Sequence, residues 1–464
     1  MNRRSFLEYL ALGAAACAMP QTGCAQTVTT PRPPNIVLIM ADDLGYGDLA
    51  CYGNEDIATP HIDALAAEGM RFTDYHANAP VCSPTRAALL TGCYPRRFRI
   101  DSAFTARRGR DKGLHLSAHT ISESLHPKGY ETALFGKWHL GYKSKFNPVH
   151  QGFDRFRGFV SGNVDFFSHI DQEGYEDWWR QDEKRDEDGY VTDLITRHAV
   201  SFIEENRAKP FFLYLPHQAV HYPYQGPDGK PLRTTEKVGP VQGGRGLKFR
   251  RQAYAAMLRR LDHSVGKVMA ALREHGLEKD TFVFFCSDNG ALPVGNNGPL
   301  RGIKATVWEG GIRVPAIAWW PGRIPAGVTT EATAMSMDLF PTVHEFTGVP
   351  MPEGHTIDGV SLAKLLTGKE PLPERTLFWR FRRQAAVRQG SWKLVLMPPA
   401  KGKRGKDVGE DTPPEKDAHL FHLGNDPGEE HDLSAEHPER VAAMRSALET
   451  WEARMEAAQQ AAVT

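Results

Sequence analysis

Cys82-Ser83-Pro84-Thr85-Arg86 runs on into Ala87-Ala88-Leu89-Leu90-Thr91-Gly92. Pro84 and Thr85 suit the entry and first turn of a short helix that Gly92 could end. Cys82 then lies at or just before the helix N-terminus, where unpaired N–H groups and the helix dipole favour an anion. Arg86, four residues on, returns to the same face with a fixed positive charge. The stretch has the parts of a nucleophile set in an anion-binding site. For an arbitrary C-x-P-x-R, a buried thiol with a surface Arg is the plain alternative.

Other groups join it. The apolar run Asn35–Met40 ends in Asp42 and Asp43, two adjacent carboxylates that repel unless a cation bridges them. A helix cap or Asx-turn is the other reading of that pair. The apolar run 281–285 leads to Asp288-Asn289-Gly290. Asp42, Asp43, Asp288 and Asn289 form an oxygen-only set suited to Ca²⁺ or Mg²⁺ rather than zinc. In Gly136-Lys137-Trp138-His139-Leu140-Gly141, Lys137 and His139 share one side of an extended chain. One is a fixed cation and the other titrates near neutral pH. His217 and His221 follow the apolar strand 210–215; His221, in His-Tyr-Pro, is the functional candidate, and His217 holds the loop. Ser161 follows Gly152–Phe159, and Lys304 precedes Trp308-Glu309-Gly310-Gly311.

In this order the motifs resemble the type I, formylglycine-dependent sulfatases, arylsulfatase-like members of the alkaline phosphatase-like superfamily. The C-x-P-x-R stretch with its Leu-Thr-Gly resembles their maturation signature. The glycine-flanked Lys137-Trp138-His139 and the Lys304-x5-Gly-Gly context fit as well. The resemblance covers about residues 34 to 350 by motif, and the remainder by layout. It implies that Cys82 is oxidised to formylglycine, whose hydrate attacks sulfur and displaces the alcohol. The sulfate hemiester then collapses to the aldehyde. It implies Ca²⁺, with Mg²⁺ second, held by Asp42, Asp43, Asp288, Asn289 and the residue at 82. Arg86 stabilises the diol, Lys137 and Lys304 grip sulfate, His139 takes the proton that releases it, and His221 protonates the leaving alcohol. Ser161 assists near the diol and substrate, although its surroundings depart from the family's usual form. The implied substrate is a sulfated sugar or polysaccharide fragment, and the implied partner a formylglycine-generating maturase. Alternatives are a phosphodiester or phosphonate monoester hydrolase on the same fold, or a silent glycan-binding relative. The complete constellation argues against the last.

Placing these groups together requires strand ends on one edge. Motifs at 42, 136, 221 and 288, alternating with helices such as 192–206 and 254–275, predict a doubly wound, mostly parallel α/β sheet over 34–370. A smaller α+β domain of antiparallel strands and one helix follows over 371–464. Asp165–Gly189 reads as an irregular surface segment. Residues 1–25 resemble a twin-arginine export signal, from Arg3 and Arg4 and an apolar run (Leu10–Met19) too short to span a bilayer, and 26–33 a spacer. These features predict export machinery as a partner and a periplasmic or secreted protein, with a weak lipoprotein-anchor signal at Cys24. Lys and Arg total 56 against 56 Asp and Glu, so no bulk field points to nucleic acid. Of six cysteines, Cys17 and Cys24 fall in the leader and Cys82 in the site, which leaves no disulfide framework. Basic residues in Arg96–Lys112 and Lys230–Arg251 are expected to line the mouth of the cleft and favour a polyanionic substrate.

Overall fold

The apolar run from Asn35 forms β1 (Asn35–Ala41), buried along its whole length. Its side chains alternate between two cores: Val37, Ile39 and Ala41 face one, Ile36, Leu38 and Met40 the other. A strand read as continuously apolar is thus one with a core on each face. In the computed structural model, residues 32–105, 109–236, 246–397 and 417–461 are described, and the leader, spacer and Cys24 expectations lie outside them up to residue 31. Pro33–Thr464 make one compact unit.

The remaining strands are β2 (Met70–Phe72), β3 (Tyr75–His76), β4 (Glu131–Lys137), β5 (Arg155–Phe159), β6 (Trp179–Arg180), β7 (Glu183–Lys184), β8 (Phe211–Pro216), β9 (Thr281–Ser287), β10 (Ala316–Trp319), β11 (Val328–Thr330), β12 (Ala334–Met335), β13 (Thr376–Phe381), β14 (Gln384–Gln389), β15 (Trp392–Leu396) and β16 (Ala418–His422). Ten of them form one sheet in the order β11-β2-β10-β9-β1-β8-β4-β5-β6-β7. The middle five, β9 to β5, are parallel. Helices Pro60–Ala67, Val191–Glu205 and Leu247–Glu274 pack on one face. Helices Cys82–Thr91, Ile121–Leu125 and Leu339–Thr347 pack on the other. This is the doubly wound architecture expected.

Residues 165–189 depart from the expectation. They extend the sheet through β6 and β7 and bury Asp165, Asp171, Asp177 and Trp178. The polar content that reads as surface is consumed internally, because each carboxylate accepts backbone N–H groups. Asp177 accepts from Val160 and Ser161. Asp165 accepts from Phe167, Ser168, Leu232 and Arg233.

At the C-terminus, β13 to β16 form a four-stranded antiparallel sheet covered by the helix Pro438–Ala461. A buried charge network ties it to the loops of the large sheet. Arg388 grips both oxygens of Asp74 at 2.8 and 2.7 Å. Lys393 Nζ lies 2.8 Å from Glu309 Oε1 and 2.8 Å from Glu429 Oε1. His76 Nε2 meets Glu309 Oε2 at 3.1 Å, and Arg313 reaches Asp74 at 3.5 Å. Burial alone would raise Asp74 and Glu309, but Arg388 and His76 for the first and Lys393 and His76 for the second outweigh it. Both carboxyls sit below the ordinary range.

Replacing Arg388 with Met leaves Asp74 buried without its forked partner and should cost about 3–5 kcal/mol in denaturant unfolding at neutral pH. Carboxyls with a depressed folded pKa stabilise above their unfolded value of about 4 and lose that contribution as pH falls through the folded one. The gap between wild type and Arg388→Met should therefore shrink below about pH 4. A gap that stays constant from neutral pH into acid would contradict this account of the network.

Candidate active site

Register builds the site. Met40 pairs with Cys286 on β9 and with Pro216 on β8, and Ala41 pairs with Ser287. Asp42-Asp43, Asp288-Asn289 and the loop 217–221 therefore leave three adjacent strands at one level, and β4 beside them ends at Lys137. This is the carboxyl edge, where open α/β sheets bind ligands. The loops are pinned to one another. Asp43 N donates to Asp288 Oδ1 at 3.2 Å, Leu44 N to Ser287 Oγ at 3.1 Å, and Val220 N to Asp42 O at 2.8 Å. Asp43 and His139 turn through the left-handed region, with φ of 59° and 55°. For non-glycine residues such turns cost about 1–2 kcal/mol each, so packing must enforce them.

Cys82 is the first residue of the helix Cys82–Thr91, and Val81 before it is extended and gives no side-chain cap. The first-turn N–H groups and the positive end of the dipole thus face the position of the thiol. Sγ lies 3.4 Å from Asp42 Oδ1 and 3.5 Å from Lys304 Nζ, at 2% exposure. Burial first, then Asp288 and Asp42, push the thiol's pKa far up. As a thiol this group is protonated at neutral pH and a poor nucleophile.

Around it stand balanced charges. Arg86 Nε and Nη2 donate to Asp288 Oδ2 at 3.1 and 2.8 Å, and Nη1 donates to Lys137 O at 3.0 Å. Lys137 Nζ meets Asp42 Oδ2 at 2.6 Å, and Lys304 Nζ bonds Asp43 Oδ1. Burial would raise Asp42 and Asp43, but Lys137 and His221 for one and Lys304 and His221 for the other hold both below the carboxylate range. His139 Nε2 lies 2.8 Å from Phe104 O, which accepts only a proton-bearing nitrogen. Its Nδ1 is then bare, buried and without a hydrogen-bond partner. Burial and Lys137 hold this imidazole neutral, well below its ordinary pKa. His221 Nδ1 lies 2.6 Å from Tyr222 O, leaving Nε2 toward Asp43 Oδ2 at 3.6 Å. Burial and Lys304 lower it to about 4. His217 packs deeper, with Nε2 at 3.3 Å from Ser264 Oγ, as a loop-holding residue would.

The donor set fits a hard divalent cation. Asp42, Asp43, Cys82 and His221 each offer a ligand atom, all within 4.8 Å of one another. Asp43 Oδ2 and Asn289 Oδ1 are buried with no hydrogen-bond partner. Oxygens left bare beside carboxylates are what a cation satisfies. The carboxylates Asp42, Asp43 and Asp288 are matched in charge by Arg86, Lys137 and Lys304, so a divalent cation leaves the cluster positive and receptive to an anionic ester. His221 joins this cluster although the sequence suggested only oxygen ligands.

Two expectations change. Ser161 is buried, but its hydroxyl donates to Asn163 O at 3.1 Å. Its link to the site is through Gly162, where a Cβ would come within 2.9 Å of His139 Nε2. Much of the basic sequence is structural. Arg97 forks onto Asp358, Arg233 is fully buried against Asn163 at 2.7 Å, and Arg251 bonds Asp48 at 3.1 Å. Arg110 stacks 4.0 Å over Tyr175 and reaches Asp171 at 3.4 Å. Arg107 and Arg108 lie outside the described residues.

Asp48 was not singled out from sequence. Buried, it accepts from Gly45 N and Asn296 N, each at 3.0 Å, and from Tyr254 and Arg251, locking the turn that carries Asp42 and Asp43. Its only signal is a further acid in Asp42-Asp43-Leu44-Gly45-Tyr46-Gly47-Asp48. The Lys304 loop is placed backbone to backbone: Lys304 N donates to Ala291 O and Gly290 N to Gly311 O, each at 3.0 Å. A Cβ at Gly290 would sit 1.9 Å from Gly310 O.

The family model described as Sulfatase matches residues 34–349, the span that carries every one of these groups. The chain belongs to the sulfatase family, within the alkaline phosphatase-like superfamily. The N-acetylgalactosamine-6-sulfatase of Canis lupus familiaris is 34% identical over 446 residues, covering 87% of this chain and 82% of its own. Arylsulfatase A of Homo sapiens is 35% identical over 457 residues, covering 88% and 85%. The crystal structure of Ps i-CgsB in complex with k-i-k-neocarrahexaose superposes with a TM-score of 0.78 at 31% identity, covering 90% of this chain and 93% of that one. This sulfatase has, among its described residues, no helix long and apolar enough to cross a membrane.

Metal analysis checks the donor set. One divalent ion per chain is expected in the wild-type sulfatase and none in Asp43→Ala. Chelation should remove turnover, and adding back a divalent cation should restore it. Metal-free wild-type protein with undiminished turnover would refute the assignment.

Proposed function

We propose that this sulfatase hydrolyses sulfate esters on sulfated sugars, with position 82, matured to formylglycine, as its nucleophile. The observation that carries this reading is the place of Cys82. It begins an uncapped helix, buried among Asp42, Asp288, Lys137 and Lys304, where a thiol is held protonated and inert. The aldehyde hydrate supplies there an oxygen nucleophile and a second hydroxyl for release. Calcium, held by Asp42, Asp43, Asp288, Asn289 and the residue at 82, with His221 adjoining, supplies charge neutralisation for the ester and the nucleophile. Magnesium suits the same oxygens less well, since a large number of carboxylate and amide oxygens in flexible geometry favours the larger, more adaptable ion.

This chain's own groups do the rest. Lys137, at the end of β4, and Lys304, on a loop, converge on Cys82 and bind the ester's anionic oxygens. Arg86 is clamped by Asp288 and the Lys137 carbonyl, so its charge is fixed in place before substrate arrives. The bare Nδ1 of His139 accepts the proton lost at position 82, because Nε2 is committed to Phe104 O. His221 Nε2 faces the cluster and is bare in the neutral ring, because Nδ1–H is given to Tyr222 O; only after taking up a proton, as the imidazolium, does it donate that proton to the leaving alcohol. Ser161 positions His139 through the close packing of Gly162. The relatives named for N-acetylgalactosamine-6-sulfate and the complex with a neocarrahexaose support a sugar as the alcohol. Maturation by a formylglycine-generating enzyme and export to the periplasm or beyond complete the proposal.

Peptide mass spectrometry of active protein should find formylglycine at 82, and Cys82→Ala should lose turnover. Active enzyme carrying only the thiol would overturn the nucleophile. His221→Ala should lower kcat/KM about 100-fold on a sugar sulfate, whose alcohol must be protonated, and far less on an aryl sulfate with a good leaving group. Equal losses on both would remove His221 from the role of acid.

A further inference from the structure

At the far end of the sheet, three arginines converge. Arg155 and Arg157 are two residues apart on β5 and so share a face, and Arg180 on β6 pairs directly with Arg157. With Phe135 and Phe202 behind them they line a cavity of about 350 Å³ between the sheet edge and the helix Val191–Glu205. Like charges placed directly opposite across strands are destabilising unless something neutralises them. Arg155 has a partner, Glu205, and lies 5.4 Å over the Phe202 ring. Arg157 and Arg180 have no ion-pair partner among the described residues. Glu187, the other carboxylate near Arg157, is bound by Arg197 and His198. Burial, Arg180 and Arg155 lower the pKa of the half-buried Arg157 against only Glu187, and a bound anion would favour its charged form.

We propose that Arg155, Arg157 and Arg180 form a second anion site, which holds a sulfate or carboxylate group of a sugar chain apart from the catalytic centre. A guanidinium presents planar, forked N–H donors that match both anions, and an aromatic floor suits the apolar face of a sugar ring. The position on the fold suits a polymer. Phe135 of β4, at the back of the cavity, pairs with Arg157 of β5, and Lys137 of the candidate catalytic cluster lies two residues further along β4. A chain anchored at the sheet edge would keep its remaining sulfates near the enzyme between turnovers. The site rests on the reading of the substrate as a sulfated sugar chain, and its test is arranged to fail separately from that reading.

Binding is measured on full-length Cys82→Ala protein, so it needs no turnover. The probe is dextran sulfate, with uncharged dextran as control, at fixed ionic strength. Adding Arg157→Gln and Arg180→Gln should weaken dextran sulfate binding about tenfold, equivalent to roughly 1.4 kcal/mol. Glu205→Gln, which removes the cavity's own carboxylate, should tighten it. In enzyme with Cys82 intact, the two arginine substitutions should leave turnover of a small aryl sulfate unchanged. Equal affinity with and without the two arginines, or weaker binding in Glu205→Gln, would overturn the site. Displacement of the polymer by sodium sulfate, sulfate for sulfate, as effective as by the polymer itself would show a free-ion site and overturn its assignment to a chain.

Discussion

Carboxylates drawn together away from water repel, and the catalytic edge exists because that repulsion is answered on every side. Asp42, Asp43 and Asp288 meet because β1 and β9 are paired in one register, and a slip of one residue would turn each of them to the wrong face. Arg86, Lys137 and Lys304 come from a helix, a strand end and a loop that share no local sequence. Their convergence is what fixes the relation of those elements to the sheet. Removing any one cation would leave a buried charge uncompensated, which is more damaging than losing an exposed pair. The geometry of the candidate site and the fold thus draw on the same interactions here.

The strands that deliver the site were readable because buried parallel strands are long unbroken apolar runs, and each run ended in a polar motif. That Cys82, Arg86, Lys137, His139, Asp288 and Asn289 would lie at strand ends or on one short helix was readable for the same reason, since side-chain type and position there are local properties. What was not readable is tertiary. Asp177 and Asp165 look like surface acids, and only folding shows that they accept backbone N–H groups and let β6 and β7 extend the sheet. Asp48 and Glu309 have no local pattern that separates them from solvated acids. The arginines of Arg96–Lys112 and Lys230–Arg251 form a charge run in sequence, but Arg97, Arg233 and Arg251 find their partners far along the chain.

The C-terminal sheet is joined to the catalytic loops by more than apolar packing. Glu309, whose backbone precedes the glycines supporting the Lys304 loop, is held by Lys393 of β15 and by the neighbouring Glu429, whose Oε2 accepts from Glu309 N at 2.7 Å. Geometry at Lys304 is therefore set partly by residues far along the chain. The small sheet braces the site without entering it.

The burial of Cys82 has a consequence in time as well as in space. In the folded molecule its Sγ is walled in by Asp42, Lys304 and the helix it begins, so no second protein can seat that residue in its own active centre. Any enzyme that alters the side chain must meet it while the segment around Pro84 is still extended. Were this side chain to be modified, the same packing would require the modification to come before closure of the sheet edge.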